Sequence, residues 1–490
     1  MRTYSRRGFL AASAAMLAAT QFPIRAGAEE AAPLRLLATR RTLDIDGREA
    51  TVFGLSGPGG QGLVLDPGQR FRVDLINDLP VPSIVHWHGQ IPPNEQDGVP
   101  DMPLPLLSPG ETRSYDFAPM PGTHWMHSHV PLQEMQLLAA PLIVRKPEDL
   151  ATDRQEVVLF LHDFSFKAPE EVLEEITGGN GAGHGGGHGG APASGDMPAM
   201  DHSSVGSMTM GSMDMGGMAM DLNDHDWDAY LANDRTLSDP EVIPVERGGR
   251  VRLRIINAAA ATVFWIDTGA AEGRLVAVDG HEIRSVSGSR FGLAMGQRLD
   301  IELDLPKEGG AWPILALREG ARERTGIILA TPRAAVTKLD GLSETEAPAF
   351  DIDLAQESRL AAIDTLSARK PAKSRMIMLG GSMQPYVWTI DGATWGSHRP
   401  VSAKSGERVE LTFHNMSMMG HPMHLHGHAF QVVGINARRF EGARRDTVYV
   451  PPMAAVTVAL DAGEAANWML HCHHMPHLAT GMMTEFRVEA

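Results

Sequence analysis

Four pairs of histidines, each separated by one residue, lie in two distant parts of the chain. The pairs are His86-Trp87-His88, His127-Ser128-His129, His424-Leu425-His426 and His471-Cys472-His473. Because alternate side chains of a β-strand point to the same face, each pair presents two imidazoles together. Eight nitrogen ligands around one cleft are too many for a single ion and suit a cluster of about three. The pattern therefore predicts a multinuclear metal centre assembled from both ends of the chain.

Cys472 is the only cysteine, and alternation places its side chain on the strand face opposite the flanking histidines. His421 precedes the third histidine pair by three residues, and His477 follows Cys472 by five. Two imidazoles, one thiolate and a weakly bound methionine sulfur form a blue-copper electron-transfer site. We expect Met482 to be the axial ligand, with Met483 as the alternative. The residue types thus predict a mononuclear copper site beside the cluster.

A ten-residue motif occurs three times, as GQRFRVDLIN at Gly68–Asn77, GGRVRLRIIN at Gly248–Asn257 and GERVELTFHN at Gly406–Asn415. Each copy begins with a turn glycine and continues as an alternating strand. A histidine pair begins nine residues after the last Asn of the first and third copies. The middle copy has Ile266-Asp267-Thr268-Gly269 there, without histidine. The repeat predicts three homologous domains, of which the middle one is a spacer without metal ligands.

We place the three domains at residues 29–147, 156–335 and 350–490. Strand-length segments between turn residues fill them, for example 63–65, 71–76, 113–117 and 139–144. Helical periodicity is scarce outside short stretches such as 169–176. These features predict an all-β protein of three consecutive β-sandwiches.

The formal charge of −17 over 490 residues argues against a nucleic-acid partner. Ser5-Arg6-Arg7-Gly8-Phe9-Leu10 and the alanine-rich run after it form a twin-arginine signal, with a small-residue cleavage site after Ala28. That run is too short to span a membrane. We expect the twin-arginine machinery to export the folded protein to the periplasm, with a monomer as the default state.

The segment 178–221 is rich in Gly, His, Met and Ser, and eight methionines lie between Met197 and Met220. It lacks apolar periodicity, so we expect an insertion in the middle domain that does not join its core. Thioether sulfur prefers Cu(I), and imidazole also binds copper. The composition favours a copper-collecting arm; the alternative is a loop whose methionines are incidental.

At the motifs HWHG, HSH, HPMHLHG and HCHHMPHLATGM, the sequence resembles the multicopper oxidases, which include laccases, cuprous oxidases and bacterial copper-resistance oxidases. The resemblance covers essentially the whole chain after the leader. It implies three cupredoxin-like Greek-key domains. It also implies four copper ions: one type 1 copper and a type 2/type 3 trinuclear cluster between the first and third domains.

The resemblance also assigns ligands by motif position. It implies type 2 ligands His86 and His424, one type 3 copper on His88, His127 and His473, and the other on His129, His426 and His471. His421, Cys472, His477 and Met482 match the type 1 site. Asp97 matches an acid that lies beside the copper ligands and helps to protonate oxygen intermediates.

The implied reaction takes single electrons from a reductant and reduces O2 to water with four of them. Cys472, with His471 or His473, would carry each electron from the type 1 copper to the cluster. The leader, the Met-rich segment and Met418-Met419-Gly420 favour the periplasmic copper-resistance branch, with Cu(I) as reductant and Met419 as a contact for it. Cuprous oxidases carry acids near the positions of Ser417 and Leu478, and these departures leave the rest of a substrate copper site unassigned.

Three other interpretations stay open at this point. The first is laccase-like oxidation of phenols or aromatic amines. The second is a copper-free scaffold relative, which the complete set of ligand residues disfavours. The third is a copper-storage protein that uses only residues 178–221, so that Cys472 would be dispensable.

Overall fold

Paired β-sheets make up the fold of this computed structural model, which describes residues 32–178 and 222–490. The twin-arginine signal and all of the Met-rich segment except Gly178 therefore lie outside the described residues. The described residues within Leu34–Ala490 form one compact unit. Of the unit Met1–Pro33, only Ala32 and Pro33 are described, and neither belongs to a helix or strand.

The first sandwich packs a five-stranded sheet, in the order β3-β2-β1-β5-β7, with a four-stranded sheet, β4-β9-β8-β6. Its strands are β1 Leu34–Ile45, β2 Arg48–Gly57, β3 Gly60–Gln61, β4 Leu63–Leu65, β5 Phe71–Asn77, β6 Val85–His88, β7 Thr112–Phe117, β8 Gly122–Ser128 and β9 Ala139–Val144. The four segments expected from the sequence in this domain are thus strands β4, β5, β7 and β9.

The second sandwich has a six-stranded sheet, β11-β10-β13-β18-β15-β16, and a five-stranded sheet, β12-β20-β19-β14-β17. Helix α1 Pro147–Ala151 precedes it, and helix α2 Pro169–Thr177 follows its first strand. Its strands are β10 Gln155–Phe164, β11 Ala229–Ala232, β12 Val242–Pro244, β13 Arg250–Asn257, β14 Phe264–Asp267, β15 Gly273–Val278, β16 His281–Gly288, β17 Arg290–Leu293, β18 Arg298–Asp304, β19 Ala311–Arg318 and β20 Arg324–Ala330.

The third sandwich combines the sheet β22-β21-β24-β30-β26-β27, with β28 beside β26, and the sheet β23-β32-β31-β25-β29. Its elements are β21 Lys373–Met383, β22 Tyr386–Ile390, β23 Val401–Lys404, β24 Arg408–Asn415, β25 His421–Leu425, β26 Phe430–Ile435, β27 Arg438–Arg439, β28 Arg444–Arg445, β29 Thr447–Val450, β30 Ala455–Asp461, β31 Asn467–Cys472, helix α3 Met475–Ala479 and β32 Met483–Glu489. The expectation of an all-β protein with three cupredoxin-like sandwiches is confirmed.

The repeated motif forms the equivalent strands β5, β13 and β24. Each runs parallel to the first strand of its sandwich, and the register pairs the closing asparagines Asn77, Asn257 and Asn415 with Ala38, Leu161 and Leu379. In β5, buried residues alternate with partly exposed ones, as the sequence predicts for a strand with one face in the core.

The closing asparagine of each motif copy organises the loop that follows it. The side-chain amide of Asn77 donates to the carbonyls of Val81 and Leu107, and that of Asn257 donates to Thr262 and Leu293. Asn415 donates in the same way to Met419, Val450 and Pro451. Since these buried loop carbonyls need donors, the asparagine fixes the path of the chain into the following strand. In the first and third copies, that strand carries a histidine pair.

The middle copy departs from the expected alternation because its charged face is also buried. Arg252 and Arg254 of β13 are at most 7% exposed. Both pair with Asp149 and Asp300, and Arg254 also bonds Thr123 of the first domain. Buried guanidinium groups need such partners, so this face of the middle domain forms a polar interface with the first domain.

Helix α2 is the one helical stretch that the sequence singled out. Pro169 occupies its first turn, where no backbone donor is needed. The helix ends at Thr177 and is capped by Gly178, whose φ of 64° lies in the left-handed region that glycine adopts without strain. In the described ranges, no helix has both the length and the apolar character that a membrane crossing requires.

Candidate metal centre

Two antiparallel strand pairs carry the histidines of the predicted cluster. In the first domain, β6 and β8 place His86 opposite His127. In the third domain, β25 and β31 place His424 opposite His471. The second histidine of each pair lies at the end of its strand or just beyond it. All eight imidazoles are buried, with at most 6% of any residue exposed.

Imidazole nitrogens from the two domains approach one another closely. Nε2 of His86 lies 3.4 Å from Nε2 of His424, which joins the first domain to the third. Nδ1 of His88 lies 3.4 Å from Nε2 of His127, and the Nε2 atoms of His426 and His471 are 3.1 Å apart. Nitrogens that share one ion at about 2.0 Å, as in zinc sites, are separated by similar distances.

The nitrogens fall into groups of which two match the predicted type 3 sets and one contains both predicted type 2 ligands together with His88. Within each group, one ligand atom per residue lies within 4.8 Å of the others. The groups include His86, His88 and His424; His88, His127 and His473; and His129, His426 and His471. The structure thus brings together all eight histidines that the sequence singled out, while the assignment of individual ions to them stays a prediction.

Hydrogen bonds on the outer side of the rings orient these nitrogens. Nδ1 faces a carbonyl oxygen in four histidines, with His86 near Asp97 O, His127 near Ser128 O, His424 near Asp446 O and His471 near Cys472 O, at 2.8–3.0 Å. A carbonyl only accepts, so Nδ1 carries the proton and Nε2 is free to bind a metal. His88 is reversed, because its Nε2 lies 3.0 Å from Oδ1 of Asp446.

Cys472 lies on the far side of β31 with the two histidines predicted for the type 1 site. Its Sγ is 3.7 Å from Nδ1 of His421 and 3.6 Å from Nδ1 of His477, and these two nitrogens are 3.1 Å apart. Nε2 of His421 is engaged by the hydroxyl of Ser417 at 2.9 Å. The two imidazoles therefore direct the same nitrogen toward the thiol.

The two methionines proposed for the axial position lie in different surroundings. Met482 is fully buried in the apolar cluster that contains Cys472. Its carbonyl accepts the N–H of Cys472, and its N–H bonds the carbonyl of His477. Met483 is only partly buried and packs against the core of the middle domain. The surroundings favour Met482 over Met483.

Asp97 lies between the first and third domains. Its Oδ2 is 2.8 Å from Nδ1 of His426, and its Oδ1 is 3.4 Å from Nδ1 of His86. It follows a short 3-10 turn, Asn94–Gln96, and is 1% exposed. This carboxylate therefore contacts two imidazoles of the cluster, one from each domain.

Three residues beside His477 were not found from the sequence. Asp224 Oδ2 lies 3.6 Å from Nε2 of His477 and 3.5 Å from Nε2 of His474, and it accepts a hydrogen bond from the hydroxyl of Tyr386. The His474 ring stacks on that of His477 at 3.9 Å. No sequence signal predicts Asp224, because the fold alone brings it from 253 positions away to His477.

The middle domain supplies a second unforeseen group. Arg298 of β18 bonds both carboxylate oxygens of Asp446, at 2.7 and 2.5 Å, and Asp446 in turn contacts His88. The close fit explains the glycine of the HWHG motif. A Cβ on Gly89 would lie 2.3 Å from Nη2 of Arg298, and its φ is 87°. The middle domain thus supports the cluster, because its Arg298 holds the carboxylate that contacts His88.

The protonation chemistry of these residues suits copper. Burial lowers the pKa of His421, His471 and His473 to about 3, so their imidazoles are neutral at ordinary pH. Burial raises the pKa of the Cys472 thiol, so a bound metal must displace its proton. Nε2 of His129 and of His473 is buried without a hydrogen-bond partner among the described residues. Neutral imidazoles and one thiolate are the donor set that copper prefers.

Comparisons with known proteins agree with this donor set. Three multicopper oxidase family models match residues 39–149, 202–334 and 369–490. Multicopper oxidase MmcO of Mycobacterium tuberculosis is 30% identical over 421 residues, which cover 85% of this chain and 79% of that protein. Copper resistance protein A of Escherichia coli is 25% identical, over 97% of this chain and 94% of that one.

The fold is also similar to solved structures. Fet3p, described as a multicopper oxidase that functions in iron import, superposes with a TM-score of 0.73 at 15% identity, covering 93% of this chain and 90% of that one. The chain therefore belongs to the multicopper oxidase family.

Proposed function

We propose that this protein couples the one-electron oxidation of Cu(I) to the four-electron reduction of O2 to water, as a copper-tolerance oxidase. The observation that carries the proposal is the placement of a Cys-His-His group on one side of strand β31 and of a cluster of eight imidazoles, to which His471 of that strand belongs, on the other. When bound, copper supplies the redox chemistry at both groups. We assign four ions: one to the thiolate group and three to the imidazoles.

In this proposal the type 1 ligands are His421, Cys472, His477 and Met482. The type 2 ligands are His86 and His424, and the type 3 ligands are His88, His127 and His473 for one ion and His129, His426 and His471 for the other. The tripeptide His471-Cys472-His473 joins the thiolate to two cluster imidazoles through covalent bonds, a short path for electrons. Asp97 holds a carboxylate against both halves of the cluster and serves as the proton donor and acceptor there.

The surroundings of His477 support a small cationic reductant. The side chains of His477 and Asp224 are both inaccessible to solvent, and the Asp224 carboxylate covers the outer nitrogen of the ring. A negative group at this position attracts a cation and leaves little room for an aromatic ring to contact His477. Asp224 also follows the methionine-rich segment by three residues, and soft thioethers suit Cu(I).

The second candidate is a laccase-like oxidation of phenols or aromatic amines. It is favoured by Ser417 and Leu478, which are buried at positions where cuprous oxidases carry acids. Ser417 is committed to Asn415 and His421 through hydrogen bonds. Neither residue therefore offers a carboxylate to a copper ion.

We further propose export by the twin-arginine machinery, cleavage after Ala28, and a monomer in the periplasm. The domain limits 29–147, 156–335 and 350–490 are part of the proposal and are supported by the positions of the three matching family models.

The test is oxygen consumption by the copper-loaded protein with Cu(I) or a phenol, for the intact chain and for a chain that lacks residues 178–221. Dominant Cu(I) turnover that falls selectively on deletion supports the cuprous oxidase. Dominant phenol turnover, or a deletion that raises it and spares Cu(I) turnover, supports the laccase-like function instead.

A point variant sharpens the comparison. Asp224→Asn should reduce Cu(I) turnover more than phenol turnover, because it removes the charge beside His477. Asp226→Asn is the matched control, since Asp226 lies two residues away and its carboxylate is 96% exposed beside Arg318. Equal effects of the two substitutions would contradict a role for Asp224 in choosing the reductant.

A further inference from the structure

Glu134 is a buried carboxylate beside the cluster that no sequence motif had assigned. Its Oε2 lies 3.0 Å from Nδ1 of His127, and its Oε1 lies 3.8 Å from Nδ1 of His473. The side chain is inaccessible to solvent, and neither oxygen has a hydrogen-bond partner among the described residues, so both contacts with the imidazoles are close electrostatic approaches. The carboxylate therefore faces two imidazoles from different domains.

The turn that carries Glu134 is held in place by its neighbour Gln133. The Oε1 of Gln133 accepts hydrogen bonds from the hydroxyls of Ser83 and Ser128, and its Nε2 donates to the carbonyl of Pro82. The next residue, Met135, is buried in the core of the middle domain. Anchored on both sides, Glu134 has little freedom to turn toward solvent.

A carboxylate buried without a full set of donors destabilises a protein. Its presence at this position therefore indicates a role other than stability. Here the two groups that it faces belong to one predicted ligand set, His88, His127 and His473. Nδ1 of His127 lies between two acceptors, Glu134 and the carbonyl of Ser128. Its proton must therefore reside on Nδ1, which leaves Nε2 as the donor atom that approaches His88.

We propose that Glu134 is a positioning residue that fixes the tautomer and orientation of His127 and His473, and so sets the copper affinity of the ligand set that these residues form with His88. The inference rests on the proposed copper function. A carboxylate that accepts the outer N–H of a ligating imidazole also increases the basicity of the ring, and such groups change metal affinity or activity by about 10–100-fold. Glu134 thus links a first-domain ligand to a third-domain ligand of the same ion.

The experiment compares the intact protein with Glu134→Gln and Glu134→Asp. The glutamine keeps the shape and removes the charge, whereas the aspartate keeps the charge but shortens the side chain. The matched control is Glu319→Gln, because Glu319 is also a buried glutamate, 2% exposed, and its carboxylate accepts the backbone N–H of Phe350. Copper content is measured by mass spectrometry after graded competition with a copper chelator, and unfolding of the copper-free proteins is followed in urea.

We expect Glu134→Gln to lose one copper equivalent at about 10–100-fold lower chelator concentration than the intact protein. Glu134→Asp should be intermediate, and Glu319→Gln should retain copper as the intact protein does. The copper-free Glu134→Gln protein should be no less stable than the intact one.

Unchanged copper retention in Glu134→Gln would overturn the inference and leave the proposed function intact. Equal loss of copper in Glu134→Gln and Glu319→Gln, or a less stable copper-free Glu134→Gln protein, would show a merely structural role and also overturn it. An intact protein that retains no copper at all would instead overturn the proposed function.

Discussion

Arg298 of the middle domain and Asp446 of the third form a two-point ion pair in which both side chains are at most 4% exposed. The pair lies directly behind His88, which contacts the same carboxylate. Burial disfavours the charge on Asp446, but the guanidinium outweighs it and holds the pKa of Asp446 below its usual range. A domain without predicted ligands thus determines how a ligand of the first domain meets the third.

Replacing Arg298 should therefore destabilise the protein strongly. Arg298→Leu leaves the Asp446 carboxylate buried without its cation, and the loss of one partner of a buried pair costs about 3–5 kcal/mol. Urea unfolding of the copper-free protein measures the change. Arg274→Leu is the control, because Arg274 pairs with Asp304 in solvent, with both groups 41% exposed or more, and its loss should cost less than about 1 kcal/mol. Similar losses for the two variants would contradict the role of Arg298.

Cys472→Ser should remove the intense blue absorbance and all oxidase turnover, because a serine hydroxyl does not replace the thiolate between His421 and His477. The eight cluster imidazoles lie on the other side of β31, so the variant should still bind copper there. Absorption spectra, copper content and oxygen consumption check the three statements. Oxygen consumption retained by the variant would refute the electron path through Cys472.

Asp97→Asn should slow turnover by about 10–100-fold, because the carboxylate that contacts Nδ1 of His426 becomes a neutral amide. The blue absorbance should not change, since Asp97 contacts the cluster imidazoles and not the thiolate group. Steady-state oxygen consumption and the visible spectrum are the measurements. The control is Asp101→Asn, four residues further on at an exposed position, which should leave turnover unchanged. Turnover by Asp97→Asn at the normal rate would exclude a role for the Asp97 carboxylate.

Glu319 should make stability depend on pH. Burial raises the pKa of Glu319 to about 7, although the backbone N–H of Phe350 donates to the carboxylate. The folded pKa exceeds the unfolded one, so this contribution is complete below about pH 4 and is lost as the pH rises through 7. As the pH rises between these limits, the unfolding free energy of the intact protein should fall by about 3 kcal/mol relative to that of Glu319→Gln.

Urea unfolding at a series of pH values checks this difference. Glu344→Gln is the control, because Glu344 is exposed and its substitution should leave the pH profile unchanged. Parallel profiles for the intact protein and Glu319→Gln would contradict the shift.

The strands and the ligand pairs could be predicted because their signals are local. The alternation in β5 and the nine-residue spacing from Asn77 to His86 reflect backbone geometry that repeats in every copy. His421 and His477 could be proposed as type 1 ligands for the same reason, since both lie close in sequence to a histidine pair. Met482 was already preferred to Met483 from the sequence, and the structure supports that preference because the two neighbours face different cores.

The sequence by itself determined which residues could bind copper and that two halves of the chain must meet to bind it. Only the tertiary structure decided which side chains surround those ligands. Glu134, Asp224, Arg298 and Asp446 have no local signature, because a carboxylate or guanidinium in a turn or strand is ordinary until the fold buries it. Their partners come from other domains, and burial without water is what converts a common charge into a constraint on a nearby imidazole.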